Sequence, residues 1–177
     1  MGEPMVYNRQ TINTSPIAVM GAISVQRGKV HFKLVPRSFN SEGVIEFLTE
    51  VLAHAEERYI YPSRLCIFWD NAGIHRSRAV QEFLTLKNIK DIKNLPYRPD
   101  LNPIERYWAQ AKQNFKKEVG KVVLTQPCVD NLTMNNLVIQ SLHAISDKFA
   151  SDLSLGGFKI LRQALPRQPN GKKLTQD

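Results

Sequence analysis

Two acidic residues stand at places where a folded chain can put them to chemical use. Asp70 ends the apolar run LCIFW (65–69) in the stretch WDNAG, and Glu105 opens the amphipathic stretch NPIERYW. Thirty-four residues separate them. Two carboxylates brought to one mouth of a sheet are hard-oxygen donors. Mg2+ is held by a few such groups together with waters and substrate phosphates, and two ions of this kind suit phosphodiester chemistry.

Each residue also has a plain structural reading. An Asp after a strand often closes a turn, and DNAG is good turn chemistry. Asn102 suits a helix N-cap, Pro103 the first helical position, and Glu105 can reach back to the cap N–H. His75 either touches Asp70 or merely enters the next helix with local hydrogen bonds. On a helical wheel Glu105 falls off the apolar stripe, beside Ala109 and Lys112, which leaves room for a ligand and its phosphates.

Positioning these groups takes an ordered framework. Residues 16–35 read as an antiparallel hairpin, PIAVMGAISV and KVHFKLV, with Gly28 supplying the turn. Residues 40–59 carry the i, i+3, i+4 stripe Val44, Phe47, Leu48, Val51 and Leu52, with Ser41 as the expected N-cap. LCIFW reads as a strand buried on both faces. A helix with Val80, Phe83 and Leu84 on one side follows, then a short strand, IKDIKNLP. The next helix runs from Pro103 to about Val119, with Ile104, Tyr107, Trp108, Ala111 and Phe115 on its apolar face. Tyr107 and Trp108 are therefore expected in the core and not as platforms for bases. Two further helices are expected near 135–149 and 158–165.

The order is that of an α/β layer architecture, in which ligands sit beyond the carboxyl ends of parallel strands. The 177 residues carry 24 Lys and Arg against 16 Asp and Glu, a net charge of +8, which favours polyanion partners. No apolar run approaches the roughly 18 residues of a membrane span. Cys66 and Cys128 read as buried reduced thiols of an intracellular protein, not as a disulfide or metal framework.

The two acidic stretches resemble the Tc/mariner superfamily of transposases, bacterial insertion-sequence relatives included. WDNAGIHRS is similar to that family's second-Asp motif and LPYRPDLNPIERYW to its third-acid motif, at a spacing the family uses. The likeness runs over roughly residues 2–119. It implies a ribonuclease-H-like mixed sheet flanked by helices and a DDE endonuclease that cuts and joins DNA with Mg2+ or Mn2+. Asp70 and Glu105 would be catalytic metal ligands, with Asn71 and His75 supporting them or positioning DNA. Arg98, Arg106 and Lys112 would contact phosphates. DNA is the implied partner, with a second copy or a complementing transposase chain beside it. The implied location is the nucleus in a eukaryote, otherwise the cytoplasm.

The departure from the family pattern is also specific. No aspartate precedes Asp70, and the first, central strand that carries the first catalytic Asp in the family has no counterpart. The expected organisation is a truncated DDE domain over 1–125, a helical extension over 126–165 and a basic flexible tail over 166–177. Alone, such a chain is expected to cut DNA weakly or not at all. The alternative is a non-catalytic DNA- or partner-binding module retained from a transposase. Without the central strand, the ladder between the hairpin and LCIFW should be broken. Residues 5–12, direct closure of the two strands, or a strand from another chain could fill the slot, and the last two are ranked first.

Overall fold

The computed structural model describes residues 14–57, 60–125 and 129–164. The hairpin forms as expected: β1 (Ile17–Ser24) pairs antiparallel with β2 (Gly28–Pro36), with a register shift between Ala22 and Ile23. Gly28 has φ +76°, and a Cβ there would run into the backbone of Asp147. Glycine is therefore required twice over, for conformation and for close approach.

Side chains alternate across the hairpin, as a strand period of two demands. Val19, Ile23, Phe32 and Leu34 pack on one side, and Met20 on the other. On Met20's side lies α1 (Ser41–Glu56), joined in one apolar cluster by β3 (Cys66–Trp69), α2 (Arg78–Leu86) and Ile89. Helix α1 is capped by Asn40 rather than Ser41; the Asn40 side chain accepts from the Gly43 N–H at 2.8 Å. The polar face of β2 also meets α1: Lys33 donates to Glu50 at 2.7 Å, and His31 Nε2 lies 2.8 Å from the same carboxylate.

On the other side lie α3 (Pro103–Thr125), α4 (Asn131–His143) and α5 (Asp147–Ala164), which share the second cluster with the hairpin. Tyr107 has 0% exposure, stacks on Phe32 at 5.2 Å and donates its hydroxyl to the Leu142 carbonyl at 2.8 Å. Burial pushes its phenol up from the ordinary value. Trp108 packs edge-on against Phe32 at 5.9 Å. Both rings are thus packing residues, as expected. Lys29 at the hairpin's tip reaches the α4–α5 junction, donating to the His143 and Ile145 carbonyls at 3.1 and 2.6 Å.

Three boundaries differ from the sequence reading. Helix α3 continues to Thr125 because Val122 and Val123 still have a partner cluster, around Met134 and Leu137. The last two helices divide at residues 144–146, where the Ser146 hydroxyl accepts from the Phe149 N–H at 3.1 Å and starts α5. Gly156 and Gly157 lie inside α5 instead of breaking it. A Cβ on Gly157 would overlap the Pro103 ring, so this glycine lets α5 lie against the start of α3.

The sheets are interrupted. Among the described residues β1 pairs only with β2, and β3 pairs only with β4 (Lys90–Lys93), in parallel. The ladder between β1 and β3 is broken, as expected, and direct closure does not occur. The segment 5–12 and the tail 166–177 lie outside the described residues. With one strand neighbour, β3 is not buried on both faces: only Trp69 is buried, and Cys66, read as a buried thiol, is exposed. No helix among the described residues is long and apolar enough to cross a membrane.

Two outcomes follow. A Cβ at Gly156 meets nothing within 4 Å, so Gly156→Ala gains helix propensity of up to about 1 kcal/mol. At Gly157 the same gain is outweighed by overlap with Pro103, which costs about 1–3 kcal/mol. Thermal melts should rise for the first variant and fall for the second; a rise for both would mean that α5 does not dock as described.

The second concerns pH. The Lys33 hydrogen bond, aided by His31, holds the Glu50 carboxyl below its ordinary value of 4.5 against partial desolvation. A depressed carboxyl stabilises the fold above its unfolded value and loses that contribution as pH falls through its folded value. In melts from pH 7 down to 2, Glu50→Gln should be less stable than the parent at neutral pH. The difference should shrink below about pH 4.5. A gap that widens with acid would contradict the pairing.

Candidate metal and nucleic-acid site

Asp70 follows directly on β3, whose last residue, Trp69, is buried. Its Oδ1 accepts from the Ala72 N–H at 3.0 Å and lies 3.3 Å from His75 Nε2. The turn reading of DNAG therefore holds, with one oxygen tied into the turn, and the side chain stays exposed.

His75 belongs to a single 3-10 turn over Gly73–Arg76 that leads into α2. Its ring stacks on Trp69 at 4.5 Å, and Trp69 Nε1 donates to Asp91 Oδ2 at 3.2 Å. Burial pushes the imidazole below 6.5, opposed by the Asp70 carboxylate. A neutral ring has one N–H, and with Nε2 facing an acceptor that nitrogen carries it. Nδ1 is buried with no partner among the described residues, as is the Ser77 hydroxyl.

Glu105 lies in the first turn of α3 and is exposed. The capping-box reading required its carboxylate for the Asn102 N–H. That N–H instead donates to the Pro99 carbonyl at 3.0 Å. Helix entry is thus satisfied by backbone, and the Glu105 carboxylate is not needed for it.

The connection between the two acids is held by a residue that the sequence reading passed over. Asn94, buried just after β4, donates its N–H to the Trp69 carbonyl at 2.8 Å, extending the parallel ladder by one bond. Its own carbonyl accepts from the Asn71 side chain. Its Nδ2 donates to the Arg98 carbonyl at 2.6 Å, and its Oδ1 accepts from the Leu95 N–H at 2.8 Å. Arg98 in turn takes the Leu101 N–H at 3.2 Å, and Leu101, with 0% exposure, anchors the loop. A chain of hydrogen bonds therefore runs from the residue beside Asp70 to the start of Glu105's helix. The only sequence signal was an Asn in a turn context, where its side chain favours nearby backbone.

Of the three expected phosphate contacts, Arg98 is engaged with Asp100 through two bonds of 2.8 Å, which raises the guanidinium's pKa and lowers the carboxyl's. Arg106 and Lys112 are exposed on α3, joined there by exposed Lys116 and Lys117. Asp70 and Glu105 supply the donor type that Mg2+ or Mn2+ takes, and both are exposed. Among the described residues no group of three or more His, Cys, Asp or Glu is placed to hold a metal. By donor chemistry each acid suits such a cation, and substrate phosphates and water would be needed to complete its ligands.

Comparison with known proteins bears on family and fold. A family model described as "DDE superfamily endonuclease" matches residues 1–122. The "Transposable element Tc3 transposase" of Caenorhabditis elegans is 32% identical over 111 residues, 60% of this chain and 32% of the relative. The chain thus spans about a third of that relative's length. The crystal structure of the catalytic domain of Mos1 mariner transposase is similar at TM-score 0.57 and 18% identity, over 82% of this chain and 76% of that one. The Mos1 mariner paired end complex with Mn gives 0.55 and 18%, over 77% and 39%. At this identity the structures speak for the fold, which is ribonuclease-H-like.

If Asn94 ties the two acid-bearing elements together, truncating it removes the Leu95 N–H's acceptor and one of the two donors to the Arg98 carbonyl, which keeps the Leu101 N–H. Two such part-buried hydrogen bonds are together worth about 2 kcal/mol. Asn94→Ala should lower the melting temperature by roughly 4–8 °C, on the scale of about 2–4 °C per kcal/mol for a chain of this size. An unchanged melt would show that the loop is held elsewhere.

Proposed function

We infer that this chain, which belongs to the DDE superfamily endonucleases of the Tc/mariner transposase type, uses Asp70 and Glu105 as divalent-cation ligands acting on DNA phosphodiesters. The observation that carries this reading is the Glu105 carboxylate, exposed and relieved of helix capping, at the far end of a hydrogen-bonded loop that begins beside Asp70. A relative at 32% identity is a transposase, and a structural neighbour is a paired end complex with Mn. The relative supports DNA as the substrate, and the neighbour's Mn supports a divalent cation, Mg2+ or Mn2+.

The bound cations would polarise the phosphoryl oxygens and supply the attacking and leaving oxygens with positive charge. The chain's own residues do the positioning. Ala72 N–H and His75 fix one Asp70 oxygen, so the other is presented outward. Asn71 braces the loop through Asn94. Arg106, Lys112, Lys116 and Lys117 hold backbone phosphates along α3, giving affinity without reading sequence.

The chain brings two carboxylates to the site and no aspartate ahead of Asp70. Each missing ligand weakens divalent binding, so strand cutting by the chain alone is weak while DNA binding persists. The basic row of α3 favours that second capacity, DNA binding, independently of catalysis.

A plasmid assay with and without Mg2+ tests both parts. Nicking by the chain alone should be slight. Binding should be retained in Asp70→Asn and weaken with salt, with a slope of log K against log salt near −3 to −4 for four phosphate contacts. Robust nicking abolished by Asp70→Asn would overturn the weak activity and keep the site. Robust nicking that survives the substitution would overturn the site itself.

A further inference from the structure

The stretch YRPDLNPIERYW holds three aromatic residues, and the fold treats them differently. Tyr107 and Trp108 pack against the hairpin, whereas Tyr97 is 100% exposed. Its backbone is as unusual as its exposure. Residues 95–98 form a β-turn closed by the Arg98 N–H on the Leu95 carbonyl at 3.3 Å, with Pro96 in the second position. Tyr97 occupies the third position with φ +59°. A turn of that form is normally completed by glycine or asparagine, because a bulky side chain is strained at positive φ. The other non-glycine residues with positive φ are Arg37 and Asn88, the latter a type that tolerates it.

A large ring is therefore held out in solvent at a backbone cost, and the turn is fixed from beneath. Asn94 binds the backbone at both of its ends, at Leu95 and Arg98. Pro96 and Pro99 stiffen the flanks, and Leu101 is buried just beyond. The turn lies on the loop that joins Asp70's neighbour to Glu105's helix. An exposed aromatic ring on a fixed turn of that loop, with a basic helix face downstream, has the two parts of a nucleic-acid contact: stacking and backbone charge.

We propose that Tyr97 is a positioning residue that stacks on an unpaired DNA base flanking the phosphate presented to Asp70 and Glu105. This rests on the reading of the site as one that acts on DNA. A base leaves the duplex stack at a cost of a few kcal/mol, and an aromatic platform returns part of it. The result is preference for DNA already unpaired beside the target phosphate. Exposed Leu95 beside Tyr97 would also suit a protein contact, but the cations of α3 favour DNA.

The test uses the whole chain and two synthetic DNAs, a blunt duplex and the same duplex with a short single-stranded flank carrying 2-aminopurine. The parent should bind the flanked DNA more tightly and quench the fluorescent base. Tyr97→Ala should lose about 5- to 150-fold in affinity for the flanked DNA, together with the quenching, and bind the blunt duplex unchanged. Tyr97→Phe should keep both. Tyr97→Gly should melt at a higher temperature than the parent, because the turn is relaxed, yet lose the quenching as Tyr97→Ala does. That pairing of gained stability with lost binding is not expected of a structural residue. Equal behaviour of parent and Tyr97→Ala on the flanked DNA would overturn the inference and leave the site reading intact. So would a change only in self-association, measured by light scattering, which would assign the patch to a protein contact. A parent that binds neither DNA would overturn the inference and the DNA reading together.

Discussion

A single buried amide residue, Asn94, links the end of the strand that precedes Asp70 to the loop that leads to Glu105. It sits where the parallel ladder of β3 and β4 ends and the loop towards α3 begins, and it serves backbone on both sides. Its carbonyl also holds the side chain next to Asp70. Without such a bridge, a loop rich in proline would still be stiff but its direction would not be set. Proline restricts φ; it makes no bond to the strand it leaves. The placing of Glu105 relative to Asp70 therefore depends on hydrogen bonds more than on chain stiffness.

The second support comes from the far end of the chain. Helix α5 lies against Pro103 through Gly157, and the hairpin tip grips the α4–α5 junction through Lys29 and Gly28. The helical region after residue 125 thus shares a core with the hairpin and with α3. It backs the helix that carries Glu105, while the cluster around α1 backs the strand that carries Asp70. Each acid stands on its own apolar cluster. Between them the sheet is interrupted among the described residues, so no ladder joins β1 to β3. The Asn94 loop is one of the few polar links that span the two halves.

Much of this was legible in the sequence, and the limits are instructive. Asp70 and Glu105 stood out as a pair, two acids at element ends within stretches that resemble one family's motifs, although each alone has a plain turn or capping reading. The core role of Tyr107 and Trp108 followed from helical spacing, which packing respected. Asn94 was not legible: an Asn near a strand end is common, and its worth lies in partners up to 25 residues away in the chain. The place of Gly157 inside a helix was not legible either: the last helix was expected to start at 158, and the worth of this glycine is the clash that it avoids with a residue 54 positions earlier. Tyr97 was invisible for the opposite reason. Three aromatics in one stretch share a composition, and only the turn's backbone separates the exposed ring from the buried pair.

Helix α3 distributes two tasks along its length, and the rise of a helix shows how far apart they lie. Lys112, Lys116 and Lys117 stand 7, 11 and 12 residues beyond Glu105, or about 10 to 18 Å along the axis. At about 3.4 Å per nucleotide along one strand, phosphates held by these lysines would lie about three to five nucleotides from one held at the carboxylates in the proposed DNA complex. In that complex binding and cutting would draw on different parts of the same helix and different phosphates of the same DNA. Loss of a cation ligand would leave the lysine contacts in full, since none of them passes through the cation. For that reason loss of cutting and retention of DNA binding are compatible in one fold, and the charge that remains on α3 is what a binding function would need.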